Sequence, residues 1–367
     1  QTSGGVLVFL PGEGEIRAVE GALKGRLPDG CAVRPLYGAL PFAAQRAAIA
    51  PVQQGRKIVL STAIAETALT IQDVRVVVDA GLARLVTERV SRAEADQRAG
   101  RAGRVAPGTA YRMWTKGEDG ALPAFAPPEI VSADLTALAL ELALWGSDDL
   151  AFLTPPPEVA LAEARALLCD LGALDARGGI TAHGRKLALL PVHPRLGHML
   201  ARAGAQAAPL AALLEARDPL RGAGSDLALR VAALRGDATA ATVHAPALAQ
   251  IRAEAKRLAK GLPQGPALSL GQMAALAYPD RVALRRAGDD PRYLLSGGKG
   301  AMLDAADPLA GQRMLVVTDT DGNPREAKIR QAAVIGLADL RAGHADAIAW
   351  HDVCRWDRRD ARVVTER

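Results

Sequence analysis

Short apolar runs separated by helix-like segments fill the first third of the chain. Between the first two runs, Ile16, Val19 and Leu23 stand at helical spacing and predict a helix over about 13–24. Because the runs are apolar on both faces and alternate with helices, they predict a parallel sheet covered on both sides, with ligands at the carboxyl ends of its strands. The predicted strands are 6–10, 31–36, 58–61, 74–79 and 109–113.

The pattern changes after this α/β region. Prolines at 123–128 predict a linker, and the Leu- and Ala-rich segments at 134–145 and 158–171 predict helices. A short hairpin and a helix over 172–187 complete an order typical of a winged-helix module. Beyond 263, short strand-like runs among Gly-Asp and Gly-Asn turns predict a small, barrel-like β-rich domain.

The sequence therefore predicts a chain of four domains. They are an α/β domain at 1–125, a winged helix at 126–191, a helical bundle at 192–262 and a β-rich domain at 263–367. In the last of these, the predicted strands are 293–296, 313–319 and 326–332.

Composition narrows the function without fixing it. The 367 residues are 49% hydrophobic and 23% charged, as in globular proteins, and aromatic residues at 3% are too scarce for an extended base-stacking platform. A net charge of +5 is compatible with a polyanionic partner. Cys31, Cys169 and Cys354 are far apart and no CxxC, HxxxH or HExxH pattern occurs, so we predict no metal site, no disulfide framework and a cytoplasmic location. No apolar run is long enough to cross a membrane.

The richest candidate chemistry lies in the run QRAGRAGR at 97–104. Its three arginines stand three residues apart, and glycines directly precede two of them. A planar guanidinium matches phosphate oxygens and glycine permits close backbone approach, so the run suits a phosphate clamp, although the same spacing also suits a solvated helix face. A second basic stripe leaves the same two interpretations open, at Arg252, Lys256, Arg257 and Lys260.

Four segments, taken in order, resemble the DEAH-box helicases of superfamily 2. VLVFLPG at 6–12 is similar to that family's motif IV, and STAIAETALTI at 61–71 is similar to its motif V. VVVDAG at 76–81 is similar to the strand that follows, and 97–104 matches the motif VI pattern QRxGRxGR completely. The resemblance implies a RecA-like fold for the first domain.

Later segments extend the resemblance over essentially the whole chain. Residues 152–157, 171–174 and 189–196 resemble the family's winged-helix and helical-bundle elements, whereas 218–222 and 277–281 are similar to the bacterial HrpB-type branch. The tail does not resemble the family's usual C-terminal domain, and we expect a β-rich, OB-like fold there.

Two signature patterns of the family are absent from the sequence. Neither GxxxxGK[ST] nor DExH occurs, so the resemblance implies the second half of a helicase, without the first RecA-like domain. We therefore expect the chain alone to be inactive towards ATP. The family also has a longer segment where Leu85 directly follows Arg84, so either a β-hairpin is short here or residues are missing, and the end at Arg367 is early for the branch.

Motif VI carries the expected catalytic residues. The resemblance implies that Arg101 and Arg104 reach across a cleft between two RecA-like domains, as arginine fingers to the β- and γ-phosphates of ATP. It also implies that Gln97 places the γ-phosphate or the attacking water, and that Gly100 belongs to the nucleotide-binding side. Arg98 is expected to serve the domain structurally.

Motifs IV and V supply the expected nucleic-acid contacts. Thr62 directly follows a strand, where its hydroxyl or backbone N–H is expected to hold a phosphate, with Ser61 beside it. Pro11 and Gly12 are expected to contact the same nucleic-acid strand. Such contacts are largely independent of base sequence.

Other residues of motif V have open roles. Glu66 and Thr67 either cap and hold the loop or bind the nucleotide, and the sequence is equally compatible with both. The position of Gln72 is usually acidic in the family, which argues against a nucleotide contact there.

The predicted function is that of the C-terminal part of an ATP-dependent RNA helicase, which couples hydrolysis to movement along single-stranded nucleic acid. The expected partners are ATP, Mg²⁺ held by ligands of the first RecA-like domain, that domain itself and single-stranded RNA, with no membrane involved. Contacts to phosphates do not separate RNA from DNA. The alternatives are a DNA-directed helicase and a non-catalytic nucleic-acid-binding scaffold.

Overall fold

The computed structural model describes two compact units, Gln1–Glu129 and Ile130–Arg367. The linker predicted at 123–128 lies directly before the division between them. Within the described part of the chain, no helix is both long and apolar enough to cross a bilayer. The described residues are 4–52, 54–66, 70–83, 88–323, 326–349, 353–357 and 362–366.

A five-stranded sheet forms the centre of the first unit. Its strands are β1 (Gly5–Phe9), β2 (Cys31–Leu36), β3 (Arg56–Ser61), β4 (Val74–Asp79) and β7 (Thr109–Arg112). They lie in the order β2-β3-β1-β4-β7, and every neighbouring pair is parallel, which confirms the predicted sheet. Two short strands, β5 (Leu82–Ala83) and β6 (Glu88–Arg89), pair in antiparallel fashion. The junction between Arg84 and Leu85 lies outside the described residues.

Helices and apolar side chains cover both faces of this sheet. The helices of the unit are α1 (Glu13–Leu23), α2 (Phe42–Ile49), α3 (Arg92–Ala99) and α4 (Lys116–Ala121). Successive side chains of a strand point to opposite faces. In β1, Leu7 and Phe9 therefore join a core that includes Ala48 of α2, whereas Val8 joins a second core that includes Ile16 of α1.

A buried ion pair lies at the amino edge of the sheet, that is, at the amino ends of its parallel strands. Lys57, at the start of β3, is 0% exposed, and its Nζ lies 3.2 Å from Oδ1 of Asp73. The same Nζ donates to the carbonyl oxygens of Ala50, at 2.6 Å, and Ile49, at 3.4 Å, where α2 ends. A cation is favoured there because the last carbonyl groups of a helix have no partner within it. Lys57 thus joins the end of α2 to the turn that leads into β4.

The second unit begins with the element order predicted for a winged helix. Its first helices are α5 (Thr136–Trp145), α6 (Glu158–Asp170) and α7 (Ala182–Ala188). An antiparallel bridge between Leu174 and Ile180 stands between α6 and α7. Leu140, Leu168 and Leu187, one from each helix, meet in a single buried core.

Helices dominate the next part of this unit. They are α8 (Pro194–Ala203), α9 (Ala208–Glu215), α10 (Leu227–Arg235), α11 (Ala245–Ala259) and α12 (Leu270–Ala277). Between them, β8 (Leu220–Arg221) pairs with β9 (Thr242–Val243).

A closed barrel follows the helices and confirms the expected barrel-like domain. Its strands are β10 (Val282–Arg285), β11 (Arg292–Leu295), β12 (Gly300–Met302), β13 (Met314–Thr320) and β14 (Ala327–Val334). They close in the order β10-β11-β12-β14-β13. The sequence pattern predicts neither β10 and β12 nor the preceding α12. The chain continues with α13 (Leu337–His344), β15 (Val353–Asp357) and β16 (Arg362–Glu366).

One apolar core joins the helical part to the barrel. It contains Leu196 of α8, Leu210 of α9 and Ala274 of α12, together with Val316 of β13 and Ala333 of β14. All of these residues are almost fully buried. The core therefore crosses the boundary predicted between the helical bundle and the β-rich domain.

Candidate functional site

The expected nucleic-acid residues lie along the carboxyl edge of the parallel sheet. Phe9, the last residue of β1, pairs with both Ser61 of β3 and Asp79 of β4. Gly12 and Thr62 follow shortly after these strand ends. Because all the strands are parallel, motifs IV and V meet at one edge, where open α/β sheets bind their ligands.

Gly12 begins a helix at this edge. It is the N-cap of α1, with an extended φ of −157°, and its carbonyl oxygen accepts the N–H of Ile16 at 3.1 Å. Pro11 and Gly12 are both half-buried. A helix N-terminus favours anions, but Glu13 and Glu15 in the first turn bring negative charge to the same place. The expected phosphate contact at Gly12 therefore competes with two carboxylates of its own helix.

The end of β3 distinguishes the roles of Ser61 and Thr62. Ser61 is fully buried, and its hydroxyl donates to the carbonyl oxygen of Thr62 at 2.9 Å. The backbone N–H of Thr62 donates to the carbonyl oxygen of Leu36 at 3.2 Å, so this expected phosphate donor is used within the sheet. The half-buried hydroxyl of Thr62 is thus the better candidate to meet a phosphate, and Ser61 supports the strand end from inside.

A single turn of 3₁₀ helix, Ala63–Ala65, brings Glu66 back against the sheet. The N–H of Glu66 donates to the carbonyl oxygen of Ala63 at 2.9 Å, and Ala65 lies in the core. Glu66 is only 9% exposed, and its Oε1 accepts Nε of Arg98 at 2.6 Å and lies 2.5 Å from Nη2 of Arg98. Burial raises the pKa of the Glu66 carboxyl, against the opposing effect of Arg98.

These contacts describe a residue that holds the motif V turn. A direct contact of Glu66 with the nucleotide stays a prediction. Thr67, for which the same alternatives were open, lies outside the described residues. Gln72 is exposed, and its carbonyl oxygen accepts a hydrogen bond from Arg75 at 3.1 Å.

Arg98 connects several segments of the carboxyl edge. Besides Glu66, its guanidinium donates to Oδ1 of Asp79 at 2.7 Å and to the carbonyl oxygen of Leu82 at 3.2 Å. Its Cζ lies 5.0 Å from the centre of the Phe9 ring. The side chain is 1% exposed, and a planar group with several donors can be satisfied in such a position. The contacts fit the structural role expected of Arg98.

The other polar side chains of motif VI are more exposed. Gln97 and Arg104 are exposed and Arg101 is half-buried, with its Nη2 donating to the carbonyl oxygen of Glu66. Burial lowers the pKa of Arg101, and the positive charge of Arg104 lowers it further. The positive charge of Arg104 thus disfavours the charged form of Arg101, and a bound polyanion would offset this effect on the pKa of Arg101.

The glycines of motif VI stand where α3 ends. The helix begins with a capping box between Ser91 and Glu94. Gly100 closes it with an ordinary helical φ of −59°, and its N–H donates to the carbonyl oxygen of Asp96 at 2.9 Å. Within the described part of the chain, a Cβ added to Gly103 would meet nothing within 4 Å. The backbone requires neither glycine, and their absent side chains leave the surface beside the exposed arginines open to a ligand.

Sequence reasoning missed some residues that shape this edge. Asp79 supplies the second carboxylate that bonds Arg98. The sequence feature that could have identified it is that a single acidic residue ends an otherwise apolar strand. At the opposite, amino end of the sheet, sequence reasoning also missed Gly108, which allows a close return of the chain before β7, because a Cβ there would lie 2.1 Å from the carbonyl oxygen of Ala102 and 2.6 Å from that of Arg75. No sequence pattern announces that approach.

The five-stranded parallel sheet, with motif V directly after β3 and motif VI at the end of α3, has the architecture of a RecA-like helicase lobe. Residues 1–106 match the family model described as the helicase conserved C-terminal domain, and 164–192 match the winged-helix helicase-associated domain HA2. The chain therefore contains the conserved C-terminal helicase domain and the winged-helix helicase-associated domain that these family models describe.

Individual relatives agree with this assignment. The chain is 38% identical, over 382 residues, to the ATP-dependent RNA helicase HrpB of Escherichia coli strain K12, an alignment that covers 97% of the chain and 45% of the relative. It is also 38% identical, over 224 residues, to the probable ATP-dependent RNA helicase DHR2 of Saccharomyces cerevisiae, which covers 54% of the chain and 30% of that relative.

Solved structures of HrpB show the same fold. A crystal structure of the E. coli DExH-box NTPase HrpB matches all of the chain and 46% of its own length, with a TM-score of 0.78 and 37% identity. A second, of the E. coli DEAH/RHA helicase HrpB, matches all of the chain and 47% of its own length, with a TM-score of 0.78 and 35% identity. The chain thus spans less than half of the length of these relatives.

Proposed function

We propose that the chain is the second RecA-like lobe, with its associated domains, of an ATP-dependent RNA helicase that couples hydrolysis to movement along single-stranded RNA. One observation carries the proposal, the division of motif VI into a buried and an exposed part. Arg98 is buried between carboxylates, whereas Arg101 is half-buried and Arg104 is exposed. Exposed guanidinium groups are suited to a site that receives a polyanion.

Arg101 and Arg104 supply positive charge to the phosphates of ATP held on the first RecA-like domain. Charge that develops on the transferring phosphoryl group is stabilised most by donors that are already in place. Gln97, exposed one helical turn before Arg101, is suited to orient the γ-phosphate or the attacking water. The open surface at Gly100 and Gly103 lets the phosphates approach the backbone.

Magnesium ligands are expected from the other domain. Mg²⁺ neutralises phosphate charge when it is bound with ATP. The carboxylates at this edge, Glu66 and Asp79, both bond to Arg98. Within the described residues, no group of three His, Cys, Asp or Glu side chains is suited to hold a metal. We propose that this chain contacts the phosphates and that the first RecA-like domain supplies the Mg²⁺ ligands.

Single-stranded RNA is the proposed track. The Thr62 hydroxyl would hold a phosphate at the motif V end of the edge, so that binding is largely independent of base sequence. We propose RNA over DNA because the named relatives are described as RNA helicases. The three free cysteines, which form no disulfide among the described residues, fit a reducing compartment, and we propose the cytoplasm.

Substitution of Arg101 tests the proposal in the complete protein, that is, this chain together with its first RecA-like domain. We expect Arg101→Ala to slow ATP turnover by about 10³-fold or more while single-strand RNA binding is largely kept, because a finger acts on the transition state. Arg165→Ala is the matched control, since Arg165 is also partly exposed but pairs with Asp148 in the second unit.

Several outcomes would contradict the proposal. Normal turnover of Arg101→Ala would remove the finger assignment, and ATP hydrolysis by the chain alone would show that the first RecA-like domain is not needed. A complete protein that binds RNA but lacks turnover altogether would favour the scaffold alternative. Stronger stimulation of turnover by DNA than by RNA would redirect the assignment to a DNA helicase.

A further inference from the structure

We propose that a groove among four helices of the second unit binds an acidic amphipathic helix of a partner protein. The groove lies between α9, α10, α11 and the start of α12 and has a volume of about 560 Å³. A concave surface of this size can take several apolar side chains of a partner. The described residues that line it include none of those assigned above to ATP or RNA, so the inference does not depend on the proposed function.

The floor of the groove is apolar and is supported from behind. Leu210 of α9 is 2% exposed and belongs to the core shared with the barrel, and Val231, Leu234 and Met273 line the groove and pack against that core. These three side chains are half-buried, so a partner that covers them removes further apolar surface from water. Because the core holds them in place, little side-chain order has to be gained on binding.

The rim of the groove is cationic. Arg235, at the end of α10, and Arg252 and Lys256, about one turn apart on α11, also line the groove and are exposed. Within the described part of the chain, none of the three forms an ion pair, and no acidic residue lines the groove. A partner with carboxylates beside its apolar side chains would match this rim, whereas a basic segment would be repelled.

Arg252 is already oriented at this rim. Its Nε donates to the carbonyl oxygen of Leu234 at 2.9 Å, and its Nη2 donates to that of Ala233 at 3.1 Å. These carbonyl groups belong to the last turn of α10, whose carbonyl groups need partners from outside the regular helix. A guanidinium that is fixed in this way loses less conformational entropy when it binds a carboxylate.

The basic stripe on α11 is divided between two environments. Arg257 donates to Glu254 through Nε, at 2.8 Å, and forms an ion pair with it, as is typical of a solvated helix face. Lys260 is the C-cap of α11 and does not line the groove. The solvated-face interpretation therefore fits Arg257, whereas Arg252 and Lys256 are placed to meet an anionic partner.

The residues along α11 favour a helix over RNA as the occupant. Ala249 and Ala253, exposed and about one turn apart on α11, line the groove, and such small side chains allow a second helix to approach closely. An amphipathic helix would place apolar side chains on the floor and acidic side chains against the rim. Among the described residues that line the groove none is aromatic, so the bases of a single strand would find no stacking partner.

The test measures the fluorescence anisotropy of a labelled synthetic helix added to the complete protein, that is, this chain with its first RecA-like domain. The probe carries leucine along one face and glutamate on the other. We expect saturable binding that weakens as salt is added, because salt screens the exposed charges. A matched probe with lysine in place of each glutamate should not bind.

Two variants locate the binding in the groove, so that one suffices if the other does not fold. Lys256→Glu reverses a rim charge and should weaken binding of the acidic helix about tenfold or more, because like charges then face each other. Ala253→Trp fills the groove without changing its charge and should abolish binding. The matched controls are Lys299→Glu, in an exposed turn of the barrel, and Gln250→Trp, at an exposed position of α11 that does not line the groove, and both should bind like the wild type.

Several results would overturn the inference while the proposed function survives. They are absence of binding, equal binding of the acidic and the basic probe, and equal loss of binding in the groove variants and their controls. Displacement of the probe by oligouridylate, with loss of RNA binding in Ala253→Trp, would assign the groove to RNA instead. Binding by this chain but not by the complete protein would show that the first RecA-like domain covers the groove. If the inference is correct, RNA-stimulated ATP turnover is unchanged in both groove variants.

Discussion

A cationic side chain is buried at each of the two edges of the same sheet, the amino and the carboxyl edge, but its hydrogen-bond partners differ. At the amino edge, Lys57 bonds the last carbonyl groups of α2 and lies beside Asp73. At the carboxyl edge, Arg98 lies between Glu66 and Asp79. Both cations are almost completely excluded from solvent.

The difference lies in what each cation connects. Lys57 joins elements that support the fold, namely a helix end and the turn before β4. Arg98 joins motif VI to the motif V turn, and so brings together residues expected to meet two different ligands. A buried charge at the carboxyl ends of the strands is therefore expected to affect function, because ligands bind at those ends of a parallel sheet. A buried charge at the amino ends is expected to affect stability alone.

Removal of the carboxyl-edge cation should have the largest effect on stability. Arg98→Ala leaves Glu66 and Asp79 buried without their partner, so we expect the free energy of unfolding to fall by about 3–5 kcal/mol. Urea unfolding of the chain measures this change. A loss below that of the corresponding change at the amino edge would break the comparison.

Removal of the amino-edge cation should cost less. Lys57→Ala leaves one carboxylate, that of Asp73, without its ion-pair partner, whereas Arg98→Ala leaves two, so Lys57→Ala should lower the free energy of unfolding by about 2–3 kcal/mol. Turnover of the complete protein, corrected for the folded fraction, should not change. A specific loss of turnover would show that this edge also serves the reaction.

A smaller effect should appear on titration of the carboxyl edge. Burial raises the pKa of Glu66 above its ordinary value near 4.5, so the folded protein holds a proton there at higher pH than the unfolded chain does. The stability of the wild type relative to Glu66→Gln should therefore fall as the pH rises from below 4.5 through the raised pKa. Urea unfolding over a pH series measures this, and a relative stability that rises over that range would contradict it.

The smallest effect on stability is expected at the exposed end of motif VI. Arg104→Ala should change the free energy of unfolding by no more than about 0.5 kcal/mol, because Arg104 is exposed. Turnover of the complete protein should nevertheless fall, by about tenfold or more. This variant sharpens the contrast with Arg98, since both arginines belong to one short run.

The sequence predicted the sheet because its strands carry a local signal. Val6–Leu10 and 74–79 are apolar on both faces, which is what a covered parallel strand requires. β12 has only three residues, Gly300–Met302, and offers no alternation to detect. Helix α12 carries a capping box between Ser269 and Gln272, a signal that the β-rich composition of its surroundings concealed.

The resemblance proposed the members of the candidate site and a structural role for Arg98, but the sequence did not show which residues bury Arg98. The spacing in motif VI marks Arg98, Arg101 and Arg104 alike, and only the carboxylates brought in from Glu66 and Asp79 decide which arginine is buried. Such long-range partners leave no trace in a local pattern. The backbone N–H of Thr62 in motif V is a similar case, because its acceptor, the carbonyl oxygen of Leu36, belongs to another strand.

The apolar core shared by the helical part and the barrel limits which sequence changes the second unit can accept. Val316 and Ala333 fill space among residues from α8, α9 and α12, so neither side is complete without the other. If only the barrel were exchanged for that of another protein, apolar side chains of the helices would be exposed to solvent. The helical part and the barrel are therefore expected to be inherited together, as one unit.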